Sequence, residues 1–247
     1  MLKIYISIMN NEDSKINLSE ILSNSFRYPF SNVKRMLLLG LLLATSIFII
    51  PGILAYGYFL RIIENSLNGS KDLPPFDNFG TMFVDGIKYI VVDIVYLGIP
   101  GVIVGFITTI IFIAIFPYAM AFTNFYLILG IVSIFLLAIP YLLSLIAFPN
   151  MVYNGIEVSK AFDFKNILRI IKVVSWKFYI LAIMPLALYV VLTNLLGFFL
   201  QSLNLGLMIY VISGVISLFV GSYVLSFKGK LLSLLYLEGN GKGEDGE

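Results

Sequence analysis

The residues that could do chemistry are few. Asp93 lies in an apolar run, and an intramembrane carboxylate is a default candidate for an ion or proton site. Thr81, Asp85, Tyr89, Asp93 and Tyr96 follow at spacings of 4, 4, 4 and 3, so one polar stripe runs along a helix. Asp93 is five residues past Lys88, about 7.5 Å along that helix. A structural ion pair with a nearby Lys or Arg is therefore weighed ahead of a transport site. Arg61 and Glu64 stand at i, i+3 and read as a local surface pair, with a lipid phosphate as the other partner for Arg61. Asp77 closes a Pro-Pro loop and is placed to cap the helix that follows. That loop, 69–80, reads as a rigid connector ahead of a ligand-binding loop. Lys165, Arg169 and Lys172 share one helix face and are candidate contacts for anionic lipid.

The chain has no histidine and no cysteine. That removes His acid–base chemistry, catalytic triads, thiolate nucleophiles and zinc or iron–sulfur sites. Paired catalytic carboxylates and phosphate-binding glycine loops are absent from the sequence. No catalytic, metal or cofactor residue is assigned, and the expectation is a protein that is not an enzyme. With 16 basic and 14 acidic residues the net charge is +2, far from a nucleic-acid funnel. Thus the partners to expect are a lipid bilayer, anionic lipid within it, and a second membrane protein.

The elements that position these residues follow from hydropathy. Of 247 residues 60% are hydrophobic and only 12% charged, with a mean hydropathy of +0.98. A soluble domain carries roughly twice that charge. The reading is an all-α integral membrane protein with five or six hydrophobic segments arranged as hairpins and with interfacial amphipathic helices. Three stretches are free of charge: 36–60, 94–156 and 178–227. One crossing takes about 20 residues, so the second and third each hold two. The segments expected are 36–60, 89–116, 121–148, 178–200 and 205–227.

Segments 61–88, 149–177 and 228–247 then share one face, and they carry 11 of the 16 basic residues. The positive-inside rule assigns that face, with the C-terminus, to the cytoplasm of the cell membrane. The first stretch has two readings. It crosses once, or it forms a hairpin or re-entrant wedge near Pro51-Gly52; charge counting favours the hairpin or wedge. Gly101 and Gly105 form a GxxxG, expected to pack within the chain. Thr108, Thr109, Thr193 and Asn194 are the polar residues that could line a route through the spans.

An amphipathic segment precedes each hydrophobic stretch, near 18–30, 78–88 and 160–175. All three carry Phe-x-[Asn/Asp]-x-x-[Lys/Arg], as Phe30/Asn32/Arg35, Phe83/Asp85/Lys88 and Phe164/Asn166/Arg169. The domain plan is a polar N-terminus (1–35), one transmembrane domain (36–237) and a Gly-rich tail (238–247) expected to be disordered.

Segments 57–69 (GYFLRIIENSLNG), 72–80 (DLPPFDNFG) and 82–88 (MFVDGIK) are distinctive. They resemble a family of multi-pass membrane proteins of unknown function, DUF4013, common in archaea, with the dense likeness over about 20–97. The resemblance implies a multi-pass membrane protein and carries no activity with it. More distantly, the plan resembles the membrane domain beside some glycerophosphodiester phosphodiesterases. The soluble catalytic domain of those enzymes is not in this chain. Two functions are carried forward: a non-enzymatic membrane organiser or accessory subunit, and a small permease or ion-coupled transporter using Asp93.

Overall fold

The computed structural model describes residues 18–115, 123–202, 206 and 208–244, and all regular structure among them is helical. Helix α1 is Leu18–Arg27 and leads through a tight turn, Tyr28–Asn32, into α2, Val33–Ala44. Next come α3 (Ile49–Leu67), α4 (Phe79–Asp93) and α5 (Ile99–Ile115). Then follow α6 (Thr123–Tyr153), α7 (Phe164–Val174) and α8 (Trp176–Ser202). The last two are α9 (Met208–Ile216) and α10 (Ser222–Glu244). Five-residue π turns, Ile94–Gly98 and Ser217–Gly221, join α4 to α5 and α9 to α10.

Among the described residues four helices are long and apolar enough to cross a membrane: Phe79–Ala114, Ile128–Tyr153, Trp176–Ser202 and Gly214–Gly241. They mark a membrane protein. The outer turns expected near 117–124 and 201–204 fall largely outside the described residues, as do Lys3 and Lys15.

The first hydrophobic stretch is divided. Helix α2 ends at Ala44, residues 45–48 turn, and α3 returns beside it. The start of α2 and the end of α3 both reach the loop after α3: Arg35 donates to the Leu73 carbonyl, and Tyr58 donates to that of Pro74 at 2.7 Å. The break falls earlier than Pro51-Gly52. Pro51 sits in the first turn of α3, where its missing N–H costs nothing.

Residues 78–88 do not form a separate interfacial helix. They are the start of a helical run that continues through the π turn into α5. Backbone contact explains the continuity. A Cβ on Gly57 would stand 1.8 Å from the Met82 carbonyl oxygen, and one on Gly86 would stand 2.0 Å from that of Ile53. Only glycine lets α3 and α4 touch main chain to main chain, so α4 is pinned along α3 from its first turns.

Helix α7 is separate, set off by Ser175 at φ 72°. Its apolar side is not turned to lipid. Ile167, Ile170 and Ile171 are fully buried in the core, against α6 and α10. The tail expected to be disordered from 238 continues α10 as helix to Glu244. Gly239 lies against Ile170 and Val174 of α7, so the Gly-rich sequence there serves packing. The core gathers at one end of the molecule. It takes in α1, α3, the start of α4, the end of α6, α7, the start of α8 and α10. Segments 61–88, 149–177 and 228–241 thus form one base. A Cβ on Gly101 or Gly105 would meet nothing within 4 Å among the described residues, so the GxxxG makes no close helix crossing with them.

Gly57→Ala should cost about 1–3 kcal/mol by forcing two backbones apart. Gly101→Ala, facing open space, should leave stability unchanged or raise it. Thermal unfolding in detergent checks both, and an unchanged Tm for Gly57→Ala contradicts the close crossing.

Candidate functional site

The polar groups of the base form four clusters, each built by side chains reaching across helices. The first holds the loop between α3 and α4. Arg61 spreads its guanidinium over the far end of that loop. It donates to the carbonyls of Asp77 (2.5 Å) and Asn78 (2.9 Å), to the Asp77 carboxylate (3.1 Å) and to the Thr81 hydroxyl (2.7 Å). The near end is held from α1–α3 and α10. Tyr28 donates to the Asp72 carbonyl at 3.0 Å and Asn65 to the same oxygen at 2.6 Å. Burial pushes the Tyr28 phenol above its ordinary range, so it remains a donor at neutral pH. The Leu73 amide donates to Ser31 at 3.0 Å, and Tyr58 stacks on Phe76 with centroids 3.9 Å apart. Lys230 of α10 donates to the Ser70 carbonyl at 3.0 Å while its ammonium stands 5.1 Å from the Tyr28 ring.

Loop carbonyls take most of these donors, so the arrangement immobilises a connector. Asp77 does not cap α4. It pairs with Arg61, and Asn78, in the left-handed region at φ 44°, stands at the helix start. Arg61 bonds across to the loop rather than pairing with Glu64 on its own helix. A planar fork reaches several acceptors at once, and that reach favours the long-range partners over the i, i+3 neighbour. An open cleft remains beside it, lined by Arg61, Glu64, Asn65, Asn68, Asp77 and the prolines.

The second cluster surrounds Asn150, a fully buried residue near the end of α6. Its amide donates to the Lys160 carbonyl at 2.7 Å. Its oxygen accepts from Asn166 at 2.8 Å and from the Tyr236 hydroxyl at 2.9 Å. Asn166 in turn accepts from Arg169, which also reaches Asn240 at 3.3 Å. So Arg169 is turned inward and ties α7 to α10. Of the three candidate lipid cations, Lys165 and Lys172 stay exposed and Arg169 does not.

The third cluster is the polar stripe of α4. Asp85 pairs with Lys88 at 3.7 Å. Tyr89 is buried, stacked between Tyr56 (4.6 Å) and Phe148 (4.4 Å). Tyr96 donates to the Ala161 carbonyl at 2.7 Å. Lys228 of α10 is the cation whose charge acts on Asp93. The Lys228 ammonium stands 5.5 Å from the Phe59 ring and 5.8 Å from that of Tyr141. Thr108, Thr109, Thr193 and Asn194 each bond to a carbonyl of their own helix.

The fourth is the exposed side of α7 and the start of α8. Lys165 and Lys172 are interleaved there with Phe164, Leu168 and Trp176, which are 49%, 47% and 44% exposed.

In all three copies of the repeated pattern the Asn or Asp side chain contacts the residue three positions on, through its backbone amide in the first copy and its cationic side chain in the other two. Asn32 accepts from the Arg35 amide at 3.1 Å, Asp85 pairs with Lys88, and Asn166 accepts from Arg169. The pattern is therefore a local i, i+3 contact, a helix cap at Asn32 and a side-chain pair within the helix at Asp85 and Asn166. Asn150, Lys228 and Lys230 were not singled out from the sequence, and Tyr58, which with Tyr56 reads there as an interfacial aromatic belt, instead holds the connector. The one available signal is that Asn150 is polar within a 63-residue stretch that carries no charge.

No group of three or more carboxylates gathers in a metal-binding arrangement among the described residues. The family described as "Protein of unknown function (DUF4013)" matches residues 40–202, and the chain belongs to that family. No curated protein and no solved structure matches the chain.

Replacing the guanidinium fork with a point charge tests the first cluster. Arg61→Lys should release the loop, at a cost of about 2 kcal/mol from charge-assisted hydrogen bonds lost. Hydrogen–deuterium exchange over 69–81 should quicken. Unchanged protection there contradicts the docking role.

Proposed function

We propose that the chain is a non-enzymatic membrane organiser or accessory subunit. In this reading its four long helices cross the cell membrane, and α2–α3 enters as a re-entrant hairpin. The polar base lies at the cytoplasmic headgroup level, where it takes anionic lipid. The observation that carries the reading is the exposed side of α7. Two cations, Lys165 and Lys172, stand among exposed Phe164, Leu168 and Trp176, the composition that suits a headgroup layer. Burial of the opposite side of α7 in the core supports the reading, since it leaves these residues on the outer surface of the base. The long helices support the accessory role. Most of their apolar surface is uncovered by the chain itself, leaving it to lipid or to the helices of a membrane partner.

A second reading is a small permease or ion-coupled transporter. The charge of Lys228 on α10 acting on Asp93 of α4 favours it. Against it, the polar residues of the outer halves bond their own helices and form no route.

Each cation near an anionic surface contributes about 1 kcal/mol. Lys165→Gln with Lys172→Gln should therefore weaken binding of phosphatidylglycerol nanodiscs to the labelled protein by about tenfold or more, most at low salt. Asp93→Asn should leave that binding intact. An unaltered affinity in the double variant, or a flux that Asp93→Asn abolishes, favours the permease instead.

A further inference from the structure

Among the described residues the distribution of mass along the long helices is uneven. The base-side half holds α1, α2, α3, α7 and the packed ends of the long helices. The far half holds α5, the first part of α6, the second part of α8 and α9, whose apolar side chains are largely exposed.

The hairpin reaches only partway. Its legs leave the base at Arg35 and Arg61, which both hold the loop after α3. Nine residue steps lead from Arg35 to Ala44 and twelve from Arg61 back to Ile49, about 14 Å and about 18 Å of helix. Half of a hydrocarbon core is about 15 Å. The turn at 45–48 therefore stops near the midplane.

That turn is built for lipid. Ile47, Phe48, Ile49 and Ile50 are 86%, 68%, 77% and 61% exposed. Three of its backbone donors are bonded internally: Thr45 to Leu41 at 3.0 Å, Ser46 to Leu43 at 3.2 Å and Phe48 to Thr45 at 2.9 Å. The Thr45 hydroxyl donates to the Leu41 carbonyl as well, at 2.7 Å. Bonded backbone under apolar side chains is what hydrocarbon demands and water does not.

We infer that the protein is a wedge. It fills more area in the base-side leaflet than in the other, and it gathers on, or bends, bilayers that are convex on the base side. The ligand is the curved bilayer itself. This rests on the membrane placement proposed above.

The test uses the full chain, inserted from detergent into a mixture of phosphatidylethanolamine/phosphatidylglycerol vesicles about 50 nm and about 400 nm across, each size with its own lipid dye. Protein density per lipid area is read on each size, counting base-outward molecules through a thiol label on Ser159→Cys. The expected result is a severalfold higher density on the small vesicles. It should fall to parity when Phe48→Lys and Ile49→Lys drive the turn out of the acyl layer. Equal density of the otherwise unaltered chain on both sizes overturns the wedge, whatever the double variant does. Release of the protein by alkaline carbonate overturns the membrane placement instead, so the two failures are told apart.

Discussion

Hydrocarbon offers a peptide group or a charge no partner, so every polar group in an apolar chain must find one inside the molecule. Here that requirement gathers the polar chemistry at one end. Arg61 spends its guanidinium on the connector that opens α4. Asn150 ties the end of α6 to the residues before α7, to α7 itself and to α10. Lys228 stands among aromatic rings, and its charge acts on Asp93. Beyond this base, hydroxyls and amides turn back on their own helices, as Thr109 does on Gly105 and Asn194 on Val190. A base whose buried side-chain polar groups are bonded save for the Ser66 hydroxyl, and a set of bare helices, is the arrangement left among the described residues.

Close backbone contact makes the base rigid. Gly57 against Met82 and Gly86 against Ile53 bring α3 and α4 together, and this contact sets where the connector must run. Arg61, Tyr58 and Asn65 then meet its carbonyls from one side while Tyr28, Arg35 and Lys230 meet them from the other. Charged groups that look available for chemistry are thereby engaged in structure. The exposed side of α7 carries a surface of cations and aromatics, on which the lipid recognition proposed above rests.

Much of the plan was legible because hydropathy and charge act over tens of residues. The all-helical class, the long apolar helices and the gathering of 61–88, 149–177 and 228–241 follow from runs without charge. The break in the first stretch was legible from charge, although its position was not. Pro51-Gly52 looks like a breaker, yet proline fits a first helical turn, so the chain turns at 45–48 instead. Pairings across the chain were not legible. Arg61 has Glu64 at helical spacing and takes Asp77, and the charge of Lys228 acts on Asp93 from 135 residues away, because tertiary packing decides both. Amphipathic periodicity placed α7 correctly but could not tell a protein core from a lipid surface, since Ile167 and Ile171 suit either. The Gly-rich end looked disordered by composition, and the partner that orders Gly239 is a distant helix.

The central claim is that the base, with both ends of the first hairpin, lies on one side of the membrane, and that the hairpin turns inside it. The natural absence of cysteine makes single-cysteine labelling direct. Ser23→Cys, Ile47→Cys and Ser159→Cys would each be treated with a membrane-impermeant thiol reagent, on intact cells and after lysis. The account predicts that Ser23→Cys and Ser159→Cys label only after lysis and that Ile47→Cys labels in neither state. Labelling of Ser23→Cys on intact cells while Ser159→Cys stays protected, or labelling of Ile47→Cys from outside, would mean that the first stretch crosses fully and would contradict it.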